Sequence, residues 1–167
     1  VRTLLLRLAL SLRCKIICED GVAYLERYFL FDALGVRCYL HRFVGSDPDR
    51  GIHNHPWQWA LSLVLLGFYQ ELRRDEARGT VRWFNFITSD TLHRVLLPPG
   101  RLECWTLFLH SSKKEKRWGF WRDFPTTGTA VFSYHDSRHP DGRWEKTAPL
   151  GNEVPRDENG VALPHYN

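Results

Sequence analysis

Two histidines one residue apart, His53 and His55, stand in the segment Asp47-Pro48-Asp49-Arg50-Gly51-Ile52-His53-Asn54-His55-Pro56-Trp57. On an extended chain, side chains two positions apart project to the same face, so both imidazoles can be aimed at one point. That is a chelate, and imidazole suits zinc, iron, nickel and copper. Two imidazoles need at least one more donor before a metal can be held. His93 is the candidate, since it enters the apolar run Leu92 to Leu97 directly after the turn Thr88-Ser89-Asp90. In a rolled-up sheet the start of that strand can lie beside the first pair. One divalent transition metal on His53, His55 and His93 is therefore the chemistry the sequence offers. No nucleophile or acid/base pair independent of a metal is evident.

Rigid elements must bring these segments together, and the sequence supplies them as strands. From Ala23 onward, short apolar or alternating runs follow one another: Tyr24 to Phe31, Val36 to Val44, Trp59 to Leu66, Phe68 to Leu72, Val81 to Ile87, Leu92 to Leu97 and Glu103 to Leu109. The links are rich in Gly, Pro, Asp and Ser, which turns require. Seven or more strands with short connections predict an antiparallel barrel or double sheet. The composition agrees, with seven Trp, six Tyr, ten Phe and no Met. Large rings suit strands better than helices.

The paired segments resemble the two motifs of the cupin superfamily. There a glycine, a His-x-His pair, a glutamate four or five positions on and a glycine seven beyond it form the first motif; one more histidine after a Pro/Gly turn forms the second. His53, His55 and Gly67 match the first and His93 the second, with Ser and Asp in place of Pro and Gly before it. The likeness covers roughly residues 36–110. It implies an all-β, cupin-type antiparallel β-barrel, a double-stranded β-helix or jelly roll. The glutamate position falls on Ala60. The site then resembles the three-histidine variant of thiol dioxygenases and related cupins, in which neutral ligands leave the cation its full charge and favour anionic or chelating ligands.

The resemblance implies a metal-binding cupin, with a non-haem iron oxygenase acting on a small molecule as the leading reading. Zinc, nickel or manganese would be held by the same donors. The other reading is a non-enzymatic cupin that binds a metal or small ligand as a sensor or assembly module. Glu71 and Glu103 are the carboxylates that could replace the missing ligand, but neither follows the motif and both read as solvent-facing strand residues. Arg42, on the strand before the first motif, is a candidate for meeting an anionic substrate. Ser62 and Tyr69 are candidates for lining the same cavity. His41 and His110 read as structural histidines. His135, His139 and His165 fall in the irregular C-terminal stretch and have no same-face partner.

The remaining features bound the alternatives. A net charge of +4 is spread along the chain among 19 acidic residues, and no phosphate-tracking stripe emerges, so no nucleic-acid partner is expected. The run Lys113-Lys114-Glu115-Lys116-Arg117 reads as a solvated turn. Four cysteines without a paired CxxC predict reduced thiols and a cytoplasmic protein. Val1 to Leu12 is too short to span a bilayer and lacks a cleavage site, so no membrane partner is expected; Leu4, Leu5, Leu8 and Leu12 predict a short amphipathic helix. The expected organisation is an N-terminal helical segment at 1–22, the cupin barrel at 23–117 and an irregular aromatic arm at 118–167. Cupins often pair by exchanging strands or arms, which implies a homodimer, with Trp118 to Trp121 as the contact.

Overall fold

A computed structural model describes residues 1–49, 51–74, 78–112, 118–124, 129–134 and 144–164. In chain order the elements are α1 (Arg2–Leu10), β1 (Cys14–Glu19), β2 (Val22–Ala33), β3 (Val36–Phe43), β4 (Ile52–His53), β5 (Trp59–Leu66), β6 (Tyr69–Arg73), β7 (Arg78–Val81), β8 (Phe84–Thr88), β9 (His93–Leu96), β10 (Cys104–Ser111), β11 (Gly119–Phe124), β12 (Thr129–Tyr134) and α2 (Trp144–Thr147). They form two six-stranded antiparallel sheets, β1-β2-β3-β10-β5-β8 and β12-β11-β4-β9-β6-β7.

The expected barrel does not close. Among the described residues no ladder joins edge strand β8 to β7, or β1 to β12, so the sheets face each other as a sandwich. The run Val81 to Ile87, read as one strand, is two. The chain bends at Arg82 and Trp83 and passes from the second sheet to the first, with no Gly or Pro to announce the bend. The stretch after residue 117, expected to be irregular, contributes β11 and β12 to the second sheet. His135, His139 and His165, like the Lys113 to Arg117 run, lie outside the described residues.

The first sheet has two buried faces, and side-chain parity assigns each residue to one of them. Tyr28, Leu40 and Trp105 point outward, where α1 and Val154 and Ala162 of the C-terminal segment cover them. The helix buries Leu5 and Ala9, whereas Leu4 is 71 % exposed. The predicted stripe is thus rotated, and this side of the helix is approached by Gly151, where a Cβ would sit 2.4 Å from the Ala9 carbonyl oxygen. Leu25 and Phe43 point inward against Tyr69 and Val95 of the second sheet, and Tyr24 joins them where the irregularity opposite Ile17 and Cys18 breaks the alternation. Cys14-Lys15-Ile16-Ile17, in the segment expected to be helical, is strand and pairs with β2.

Candidate metal centre

β4 is only two residues long and is held between β11 and β9, with His53 opposite both Phe120 and His93. Gly51 enters it at φ +97°, and a Cβ there would sit 2.2 Å from the Trp121 carbonyl oxygen, so no other residue fits this approach. Asn54 turns away from its two histidine neighbours. Its side chain donates to the Ser89 carbonyl at 3.2 Å and accepts from the Gly119 amide at 3.0 Å. One residue thus ties the His-x-His segment to both flanking elements. β9 is fixed from the same loop, since the Val95 amide donates to Asp47 Oδ2 and the Leu97 amide to Ser46 Oγ.

The three rings converge. Their centroids lie 4.9 Å (His53 to His55), 5.0 Å (His53 to His93) and 5.1 Å (His55 to His93) apart, a nearly equilateral triangle. One nitrogen of each lies within 4.8 Å of the others, and the Nε2 atoms of His55 and His93 are 2.9 Å apart. Adjacent donors on an octahedral ion with bonds of about 2.1 Å are about 3 Å apart, the spacing of the His55–His93 pair, and the third nitrogen lies close enough for all three to gather on one ion. Burial, followed by the neighbouring charges of His53 and His93, holds the His55 imidazole well below its ordinary pKa. It is neutral at pH 7, the form that can donate a lone pair.

Glu71 completes the centre from behind. Both Glu71 and Glu103 depart from the solvent-facing positions expected of them. Glu71 is buried on β6, and its Oε1 lies 2.7 Å from His93 Nδ1, which turns His93 Nε2 toward the other two rings. It also accepts from Arg73 Nε at 2.8 Å and Asn85 Nδ2 at 2.7 Å. Burial works against its charge, but the hydrogen bonds from His93, Arg73 and Asn85 prevail and hold the carboxyl at about 2. A permanently ionised carboxylate on the far nitrogen fixes the tautomer and makes the imidazole a better donor. Ala60, where a fourth ligand was sought, is buried opposite Ile87 and His110.

A cavity of about 520 Å³ opens from the three histidines into the space between the sheets. Ser62 and Tyr69 line it, and Tyr69 is hydrogen-bonded to Asn85 and Ser62. Trp57 stacks on His55 (4.7 Å) and on His110 (4.0 Å), and Phe108 stacks on His41 at 4.6 Å. His41 and His110 are thus part of the wall. Trp118 and Phe120, expected at a subunit contact, face this cavity instead.

Arg42 is not in the cavity. It follows His41 on β3, so parity sends it to the opposite face of the sheet, where Glu26 is its direct cross-strand partner. There it is 2 % exposed, 2.7 Å from Glu103 Oε2 and 3.3 Å from Glu26 Oε1, and it donates to the Gly160 carbonyl at 2.6 Å. The expectation that it meets substrate is corrected by that placement. The cations that do line the cavity are Lys15, Arg27 and Arg37. Arg27 pairs in register with His41 and so shares its face, which the sequence alone does not reveal.

The fold is the one shared by solved cupin-domain structures, and it brings together three histidines that could hold a metal ion. Solved structures that share the fold include the polyketide cyclase RemF from Streptomyces resistomycificus, at 20% identity and TM-score 0.52 over 65% of this chain and 79% of that one. A cupin 2 conserved barrel domain protein from Rhodopseudomonas palustris is similar at 15% identity and TM-score 0.51, over 64% and 75% of the two chains. HppE with Fe(II) is similar at 13% identity and TM-score 0.51, over 60% of this chain; the match spans 56% of the HppE chain. No protein-family model and no curated protein sequence matches the chain.

Proposed function

We propose that this cupin holds one divalent transition metal, iron first among the candidates, on His53, His55 and His93, and that it is an oxygenase of a small molecule taken up in the adjoining cavity. The observation that carries the reading is the near-equilateral approach of three imidazoles with a buried carboxylate behind one of them. The bound cation would supply Lewis acidity and, as iron, redox chemistry at open coordination positions. The protein's own share is to position the donors. Glu71 retains the proton on His93 Nδ1, Asn54 sets the angle of the His-x-His segment, and Trp57 and Phe108 exclude water from one side.

Fold likeness does not select the reaction, since an Fe(II) protein and a polyketide cyclase share this architecture. A reducing, cytoplasmic setting belongs to the same proposal. Cys14, Cys38 and Cys104 are buried thiols, and burial above all pushes Cys14 and Cys104 up to about 12, which makes them inert. The homodimer also stays a proposal, supported now by Trp83, Phe84 and Phe86 exposed at edge strand β8.

The test is metal content of the purified protein and of His93→Ala. Stoichiometric iron that disappears in the variant, with oxygen uptake on a panel of small thiols and acids, is expected. Metal without turnover across the panel would favour a binding module, and no metal in either protein would end the proposal.

A further inference from the structure

Lys15 on β1 and Arg27 on β2 are direct cross-strand partners, and both line the cavity. Like charges directly opposite each other destabilise a sheet. Among the described residues neither forms an ion pair with a carboxylate. Arg27 donates to His41 Nε2 at 3.1 Å and lies 5.3 Å from the Tyr39 ring centroid. Arg37, the third cation of the lining, is already matched by Asp32 at 2.7 Å and Glu145 at 3.7 Å. The acidic residue of the lining, Asp47, accepts the Val95 amide on the second sheet. Burial first, then the charge of Arg27, lowers the Lys15 pKa.

The surroundings of this pair are flat and apolar. His41 joins Arg27 to Phe108, Phe108 contacts Trp57 at 5.6 Å, and Trp57 stacks on His55. Tyr39 stacks on His110 at 5.6 Å and on Trp144 at 5.9 Å. Rings therefore run without interruption from the three histidines to the two cations. Such a wall favours a planar ligand that can stack on it, and the cations select its charge.

We propose that the cavity binds a planar organic anion, an aromatic or conjugated carboxylate, with the carboxylate at Lys15 and Arg27 and the ring laid against the wall that Trp57, Tyr39 and Phe108 form. The far edge of that ring faces the histidines, and this part of the assignment rests on the metal-binding reading above. A guanidinium offers two parallel donors to a carboxylate, and a neighbouring ammonium adds charge without fixing orientation. Arg27 and Lys15 are binding residues on this account.

The probes are 2-naphthoate and its neutral isostere 2-naphthamide, titrated calorimetrically into the full chain, into Arg27→Gln and Lys15→Gln, and into His93→Ala. Naphthoate is expected to bind the unaltered protein at least tenfold tighter than naphthamide. Arg27→Gln should lose at least tenfold in naphthoate affinity and leave naphthamide unchanged, while its melting temperature stays level or rises because a like-charge contact is removed. Lys15→Gln should lose less. Equal affinities for the two probes, or naphthoate binding indifferent to both substitutions, would overturn the proposal even if metal content remains stoichiometric. Conversely, Arg27-dependent naphthoate binding that persists in a metal-free His93→Ala protein supports the anion site while the metal reading is judged separately.

Discussion

Replacing Glu71 separates what the histidines contribute from what supports them. The carboxylate has three partners, and they do not weigh equally. Arg73 has a side chain 46% exposed, so its pairing is worth at most about 1 kcal/mol. Asn85 can donate to an amide oxygen as readily as to a carboxylate. The contact that changes is the 2.7 Å bond with His93 Nδ1, from charge-assisted to neutral in Glu71→Gln, and to nothing in Glu71→Ala. A charge-assisted bond contributes about 1.5–3 kcal/mol and a neutral one about 0.5–1.5 kcal/mol. The amide variant should then lose about 1–1.5 kcal/mol of metal binding, roughly tenfold in affinity, and the alanine variant up to about 100-fold. Competition of Co(II) or Fe(II) against a chromophoric chelator measures this, with thermal melting of the metal-free proteins as the control for folding. If both variants bind metal within about twofold of the unaltered protein while His93→Ala does not, Glu71 has no part in orienting the ligand and the reasoning fails.

Two further outcomes follow from the buried polar groups. His110 is 3% exposed, and burial, with Arg27 and Arg37 adding to it against the opposing Ser111 carbonyl, holds its imidazole at about 4. Unfolded, it titrates near 6.5, so stability is complete above that pH and is lost as pH falls toward 4, by about 3 kcal/mol from this group alone. His41 shifts in the same direction. The metal-free protein should melt progressively lower from pH 7 to pH 4, and His110→Asn should flatten the slope; a melting temperature level across that range contradicts the assignment. Arg42→Met should cost about 3 kcal/mol, a fall of roughly 6–12 °C in melting temperature, because a buried carboxylate loses one of its cations. Metal content should not change, and a loss of metal without a loss of stability would return Arg42 to the site.

Four strands of the first sheet were legible because their runs are long and their turns carry Gly, Pro and Asp. β2 and β5 include the expected runs, β3 stops one residue short at Phe43, and β10 starts one residue late at Cys104. Short elements were not legible. β4 has two residues, too few for any period to register, and it exists because β9 and β11 pin it. The bend at Arg82 and Trp83 is made by placement, with Arg82 over the Phe68 ring at 4.3 Å, and leaves no turn composition to read. The three histidines were legible from spacing and order. What supports them was not: Glu71 reads as any polar residue on an alternating strand until β6 is known to neighbour β9. Arg42 and Arg27 show the same limit, since an odd or even position selects a face only after register with His41 is known.

The outward face of the first sheet has a consequence for the order of folding. The Glu26 carboxylate is fully buried and is met by Arg156 at 3.2 Å and by the Ala162 amide at 2.8 Å, partners 130 and 136 residues later in the chain. Until those residues emerge from the ribosome, β2 and β3 carry an acid matched only in part, by Arg42 and the Tyr28 hydroxyl. A chain without Arg156 and Ala162 would leave this face of the sheet uncovered, with a buried acid short of two of its partners.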